Sequence, residues 1–270
     1  MPRLNRERRD TALKDTSELA QDLWTARVSG AALDREGLDE PKNLKTAYAI
    51  QDAQQSLSEK RLIGWKLGAT SAPAQEMLHL DGPFWGPIYQ GEVYQSGMDV
   101  PIFPAQTPLL ETEFAVTLAQ DLPTRRVTYT RDDIHNAIDE VNAAFEIVAA
   151  RVQGGLVGAG LIAIADGGGN AGIVLGDLIP RPYWQDTSET EISLEINGHE
   201  AARGTTQILA WEHIFDGVRW LLDQLGKSGR GLKTGDVIMT GTCTGVTPIK
   251  PGETAKAQFG DIGAVHANFT

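Results

Sequence analysis

Leu19, Leu23, Trp24 and Val28 recur at three-to-four-residue spacing behind Ser17, a helix-capping residue type, and Gly30 closes the run. The pattern predicts a short amphipathic helix beginning at Ser17. A second helix is predicted over residues 44–61, with Tyr48, Ile50, Ala53 and Leu57 as its inner face. Past Gly64 the texture changes to short apolar or alternating runs broken by Gly, Pro, Asn and Asp, which read as strands and turns as far as Leu178. Helices are expected at residues 130–138 and, more clearly, at 206–225, where Leu209, Ile214, Val218, Leu221, Leu222 and Leu225 mark one face. Residues 191–196 alternate and meet Asn197-Gly198, a favoured two-residue hairpin turn, while 236–240 and 264–269 read as closing strands. Strands and helices do not alternate regularly, so a doubly wound parallel sheet is disfavoured. The expected architecture is α+β: a helical N-terminal segment, residues 1–62, leaning on a β-rich catalytic body, residues 63–270, the two acting as one functional unit.

Composition narrows the function classes. The chain has 270 residues, of which 41% are hydrophobic, enough for a full core without staples. Its 24 Lys+Arg against 36 Asp+Glu give a formal charge of −12, which opposes long-range attraction to nucleic-acid phosphates or anionic membranes. No apolar run approaches the roughly 18–20 residues of a membrane span. Residues 1–15 are Arg-rich without the apolar centre of a secretory signal and read as a charged, loose leader. The single Cys243 cannot form an internal disulfide, so a reducing cytoplasm is the expected compartment.

Familiar motifs fail on context. Gly167-Gly168-Gly169-Asn170-Ala171-Gly172 has the glycine spacing of a dinucleotide fingerprint, but Ile173-Val174-Leu175 after it reads as a strand where a helix is required. Gly226-Lys227-Ser228 lacks the leading glycine of a phosphate loop. His79, His135, His199, His213 and His266 are too scattered for a zinc site, and Cys243 reads as a small buried hydrophobe.

Charges in apolar places carry more information. Residues 109–118 alternate as a strand, which puts Glu111 and Glu113 on one face about 7 Å apart. A half-exposed acidic strand face would explain that pair alone. A third carboxylate, Glu146, is embedded in Ala143-Ala144-Phe145-Glu146-Ile147-Val148, where it must be paired, protonated or bound to a cation. Three carboxylates with water suit a hard divalent ion such as Mg²⁺ or Mn²⁺; pairing of Glu146 with Arg151 would satisfy the same electrostatics. Lys66, between Trp65 and Leu67, should face something negative unless its strand turns that side outward. Asp166 ends what reads as a buried strand, Leu161 to Ala165, at a triple-glycine turn, and Asp81 in Leu80-Asp81-Gly82-Pro83 is a turn residue at face value.

Taken in order, Gly64-Trp65-Lys66-Leu67-Gly68-Ala69-Thr70-Ser71, Leu80-Asp81-Gly82-Pro83-Phe84-Trp85-Gly86, Glu111-Thr112-Glu113, Phe145-Glu146-Ile147, Ala165-Asp166, Val174-Leu175-Gly176 and Gly235-Asp236-Val237-Ile238-Met239-Thr240-Gly241 resemble the hydratase/decarboxylase branch of the fumarylacetoacetate hydrolase superfamily. That branch includes 2-keto-4-pentenoate hydratase, 2-oxo-hepta-4-ene-dioate hydratase and 4-oxalocrotonate decarboxylase. The resemblance implies a mixed β-roll with a helical N-terminal segment, and Mg²⁺ or Mn²⁺ held by Glu111, Glu113 and Glu146. It implies Lys66 in the substrate pocket, Asp81 as an acid–base candidate, and Asp166, Asn170 and Thr242 as substrate contacts. The expected activity is hydration of a 2-hydroxy-2,4-dienoate in aromatic or steroid catabolism, by a homo-oligomer acting on a small 2-oxo acid. One departure keeps other reactions open. Where relatives carry Asp-Asn-Ala-Ser this chain has Asp166-Gly167-Gly168-Gly169-Asn170, and residues 241–246 are closer to the hydrolase branch. Decarboxylation of a 2-oxo-enoate diacid, hydrolysis of an acylpyruvate, and non-catalytic binding of a 2-oxo acid are the alternatives.

Overall fold

The structure, a computed structural model, describes residues 2–270, with side chains from Thr16 onward. The predicted charged leader therefore lies, in its side chains, outside the described residues. Helix α1 spans Pro2–Ser29, so Ser17 is interior to it rather than its cap; the predicted stop holds, because Gly30 takes a left-handed φ of 76°. Helix α2 spans Leu44–Leu57, capped by Asn43, whose Oδ1 accepts the Thr46 N–H at 2.9 Å. It ends four residues before the predicted Arg61, since the Arg61 carbonyl already accepts a bond from Gln90 N–H. Its inner face is also rotated: Ala47, Ile50, Gln51 and Gln54 are buried, while Leu57 is exposed. The two glutamines are inside because Gln51 Nε2 donates to the carbonyls of Trp85 and Ile164, and Gln54 Nε2 to that of Ala165.

The strands and remaining helices follow in order. They are β1 (Leu62–Gly68), α3 (Ala72–Leu78), β2 (Phe84–Tyr89), β3 (Val93–Gln95), β4 (Asp99–Val100), β5 (Leu109–Leu118), α4 (Arg131–Ala137), β6 (Ile138–Val148), α5 (Leu161–Ala165) and β7 (Asn170–Leu178). Then come β8 (Ile192–Ile196), β9 (His199–Gly204), α6 (Ile214–Gly226), β10 (Val237–Met239), β11 (Thr247–Pro248), β12 (Thr254–Phe259) and β13 (Gly263–Phe269). The larger sheet runs β2-β1-β10-β5-β6-β7-β3 with β11 added to β5, and the smaller runs β4-β13-β12-β8-β9. Both are mixed: β1 and β10, β3 and β7, and β4 and β13 pair in parallel, the other ladders antiparallel. The sheets meet where β13 crosses β7, closely enough that a Cβ on Gly176 would lie 2.4 Å from the Ala264 carbonyl oxygen. This is the α+β roll that was expected.

Local chemistry explains the agreements and the misses. The Thr130–Asp133 capping box starts α4, and Asn197 and Gly198, both at positive φ, turn the β8–β9 hairpin. The helix predicted from Thr206 begins only at Ile214; before it lies a single 3₁₀ turn, Thr206–Ile208, and His213 Nδ1 then caps α6 by accepting the Phe215 N–H. Residues 236–240 do form a strand, but an inner one: β10 lies between β1 and β5. The run Leu161–Ala165, read as a strand, is the one-turn helix α5, because Gly160 enters at φ 57° and the glycines after Asp166 all take positive φ. Leu19, Leu23, Ala47 and Ile50 from α1 and α2 share one apolar cluster with Ile162 and Ile164 of α5.

Candidate metal and substrate site

Strands β5 and β6 bring the carboxylates together. Alternation puts Glu111 and Glu113 on one face of β5, and the antiparallel register sets Glu146 opposite Glu111. One oxygen from each of the three lies within 4.8 Å of the others. Glu113 and Glu146 are fully buried, and Glu111 is half-buried. Glu113 Oε2 accepts the Gly241 N–H at 2.8 Å, while its Oε1 has no hydrogen-bond partner. Glu146 Oε1 accepts from Asn170 Nδ2 at 3.0 Å and lies 3.4 Å from Lys66 Nζ; its Oε2 also lacks a partner. Lys66 is buried in β1, between β2 and β10, with its ammonium 5.2 Å from the centre of the Phe84 ring. The alternative pairing of Glu146 with Arg151 is not made: Arg151 turns to Asp166 and to the carbonyls of Ala149 and Asn170.

The electrostatics are those of an incomplete charge set. Burial pushes the Glu111 carboxyl up to about 7, with Lys66 opposing and Glu146 adding to the rise. Burial and the two neighbouring carboxylates push Glu113 well above the ordinary range. Burial also raises Glu146, although Lys66 and Asn170 hold it down. For Lys66 burial works against the ammonium, but Glu146, Glu111 and Glu113 outweigh it and its pKa is raised. Three carboxylates and one ammonium leave two negative charges when all are ionised, and two buried carboxylate oxygens lack partners. A divalent cation with oxygen ligands fits both deficits.

Beside this cluster lies a cavity of about 170 Å³. Lys66, Glu111, Ser71 and Thr242 supply its polar lining. Thr242 Oγ1 donates to the Gly245 carbonyl at 2.8 Å. Asn170 is fully buried and stands behind Glu146 rather than on the cavity wall. Asp166 is not on the wall either: Oδ2 accepts the Arg151 N–H at 2.9 Å, and burial, against the pull of Arg151, raises its carboxyl to about 6. Asp81 is exposed in the turn after α3, outside the lining. Cys243 is sealed in the core, its thiol pushed far up by burial and by Glu113 and Glu111, which fits the small hydrophobe of the sequence reading.

The glycine triplet has a steric explanation. Gly167, Gly168 and Gly169 take φ of 67°, 74° and 70°, and a Cβ on Gly168 would lie 2.8 Å from the Phe84 ring and 3.0 Å from Lys66 Cδ. The loop thus braces the lysine with backbone and offers the cavity no side chain. Sequence reasoning missed Ser71 and α3, whose signal was present: Ser71-Ala72-Pro73 is an N-cap followed by proline in the first turn, and Ser71 Oγ does accept the Ala74 N–H. The buried Arg27–Glu92 pair, at 2.8 Å, had no local signal at all.

The description of the fumarylacetoacetate (FAA) hydrolase C-terminal family matches residues 68–270. The 2-keto-4-pentenoate hydratase of Paraburkholderia xenovorans (strain LB400) is 27% identical over 257 residues, covering 93% of this chain and 94% of that protein. The 2-hydroxyhexa-2,4-dienoate hydratase of Comamonas testosteroni is 29% identical over 215 residues, covering 79% and 80%. Among solved structures, 4-oxalocrotonate decarboxylase from Pseudomonas putida G7, complexed with magnesium and adipate, shares the fold with a TM-score of 0.83 over 95% of this chain and 98% of that one, at 21% identity.

Proposed function

Because the chain belongs to the fumarylacetoacetate hydrolase family, we propose that it is a divalent-metal-dependent hydro-lyase that adds water to a 2-hydroxy-2,4-dienoate, giving a 4-hydroxy-2-oxo acid. The observation that carries this reading is the convergence of Glu111, Glu113 and Glu146, two of them with unpartnered buried oxygens, on Lys66 at the end of a small cavity. These carboxylates are the residues that would hold Mg²⁺ or Mn²⁺. When bound, the cation supplies Lewis-acid stabilisation of negative charge on the carboxylate and 2-oxo oxygens of the substrate. The chain's own contribution is electrostatic and positional. Lys66, held charged by its three acidic neighbours, stabilises the enolate formed as the dienol 2-hydroxyl gives up its proton. Protonation at C5 yields the 3-en-2-one acid, and water then adds with its oxygen at C4 and a proton at C3. Ser71 and Thr242 are the neutral polar side chains of the cavity and orient the substrate, and Asn170 fixes the Glu146 carboxylate. We assign no proton transfer to Asp81 or Asp166, because neither lines the cavity.

The test is turnover. With Mg²⁺ or Mn²⁺ present, 2-hydroxypenta-2,4-dienoate should lose its ultraviolet absorbance without release of CO₂. Metal binding without turnover would overturn the hydratase reading, and CO₂ release from 2-oxo-enoate diacids would replace it with decarboxylation. We further take residues 1–62 and 63–270 as one functional unit, since α1 packs on α2 and α2 on α5, which leads into the glycine triplet. The chain is expected to assemble as a homo-oligomer, checked by sedimentation. No helix among the described residues is long and apolar enough to cross a membrane, and the one cysteine is free and buried; we place the protein in the cytoplasm.

A further inference from the structure

The cavity is chemically lopsided. Lys66 and Glu111 are its only charged lining side chains among the described residues, and Lys66 already faces Glu146 at 3.4 Å. Apart from Ser71 and Thr242, the other lining side chains are apolar, among them Ala74, Met77 and Leu78 from α3, Phe84 from β2, and Leu156 and Ile208. Charge counting sharpens the point. The carboxylates contribute −3 and Lys66 +1, so a divalent cation brings the set to neutrality before substrate enters. A 2-oxo acid brings one carboxylate, which chelation can satisfy. A second carboxylate at the far end of the same molecule, away from Lys66, would meet no cation among the described lining residues, and an unpaired carboxylate against apolar surface is strongly disfavoured.

Resting on the hydratase reading of this site, we infer that the substrate is a monocarboxylic 2-hydroxy-2,4-dienoate whose C5 end carries an apolar tail, and that dicarboxylic dienoates are rejected. The tail occupies the wall built by α3, Phe84, Leu156 and Ile208. Each added methylene that reaches this wall should tighten binding by about fourfold, until the cavity is full.

Isothermal titration of the Mg²⁺-loaded full chain with two non-reactive acids tests this apart from turnover. The probes are 2-oxohexanoate and 2-oxoadipate, which share a six-carbon skeleton and differ in a terminal methyl against a carboxylate. 2-Oxohexanoate should bind on the order of 10²-fold more tightly. Equal affinity, a preference for 2-oxoadipate, or binding of neither acid overturns the inference. Ile208→Arg places a cation on a partly exposed part of the wall and should improve 2-oxoadipate binding about tenfold while weakening 2-oxohexanoate; no gain for the diacid counts against that wall as the seat of the tail. If the monoacid preference holds and dienoates are not hydrated, the tail assignment stands and the hydratase reading falls. If dienoates are hydrated with no preference between the acids, the reverse follows.

Discussion

Two buried clusters of charge stand out among the described residues, and they are built on opposite principles. In one, Arg27 and Arg151 are matched by Glu92 and Asp166: Arg27 grips Glu92 with two hydrogen bonds, at 3.3 and 2.8 Å, while Arg151 lies 3.8 Å from Asp166 and donates to two backbone carbonyls. Two buried cations face two buried anions, and half-exposed Lys60 adds a third cation 3.3 Å from Glu92, so each carboxylate has a cationic partner. In the other, Glu111, Glu113 and Glu146 face Lys66 alone; an oxygen without a hydrogen bond occurs in both clusters, at Glu113 Oε1 and Glu146 Oε2 here and at Asp166 Oδ1 there, but only here do the carboxylates outnumber their cation, three to one. The first arrangement holds α1 against the sheet; the second leaves a deficit that protons fill in the metal-free protein and a divalent cation would fill in their place. Buried charge by itself does not mark a functional site, whereas buried charge with a consistent imbalance does.

Four experiments break or sharpen that contrast. Glu146→Gln should have the largest effect, abolishing metal-dependent turnover, and a variant fully active in chelator-treated buffer would remove Glu146 from the site. Lys66→Ala should lower kcat by on the order of 10²-fold if the ammonium stabilises enolate charge; an unchanged kcat with a raised KM would reduce it to a binding group. Arg27→Ala, which leaves Glu92 only the half-exposed Lys60 as a cationic partner, should act on the other axis, costing about 3 kcal/mol of stability in denaturant titrations while leaving the metal affinity of the folded fraction unchanged. Lost metal affinity at full stability would mean that the two clusters are not separate.

The smallest effect is on pH dependence, where the three metal-site carboxylates and Glu92 carry opposite signs. Glu111, Glu113 and Glu146 all have raised folded-state pKa values, Glu111 from 4.5 to about 7, so folding favours their protonated forms. Their contribution to metal-free stability is fully present below the unfolded value and is lost as pH rises through that window. Metal binding requires the ionised forms, so the gain in Tm on adding Mg²⁺ should grow between pH 5 and 8. Glu92 is lowered: burial opposes its charge, but Arg27 outweighs burial, so its contribution is present above the ordinary carboxylate range and fades on acidification. A Mg²⁺-induced Tm gain that shrinks as pH rises would contradict the assignment of the three carboxylates.

The contrast also explains what could be read from the sequence. Glu111, Glu113, Glu146 and Lys66 were legible because each interrupts an apolar run, and strand alternation put the first two on one face. The capping box at Thr130 and the Asn197-Gly198 turn were legible because their chemistry is local. Arg27 and Glu92 were not, since their partnership spans two elements and neither sits in an anomalous run. The face of α2 was misread for the same reason: Gln51 and Gln54 are buried to satisfy carbonyls of α5 and of Trp85, which no window around residue 50 contains. Leu161–Ala165 has the composition of a strand and becomes a helical turn through the glycines on either side. Asp81 and Asp166 occupy turn positions, where aspartate serves backbone geometry as readily as chemistry, and neither reaches the cavity wall.

The order of the larger sheet has a consequence for biosynthesis. Glu111, Glu113 and Glu146 sit on neighbouring strands close in the chain, so their hairpin can zip up early. Lys66 is separated from them by β10, which pairs Met239 with Lys66 on one side and with Ala115 on the other. A nascent polypeptide halted on the ribosome before residue 237 would hold the acidic hairpin and the lysine strand without the strand that lies between them, so a late-emerging segment is what completes the sheet from the ammonium to its carboxylates.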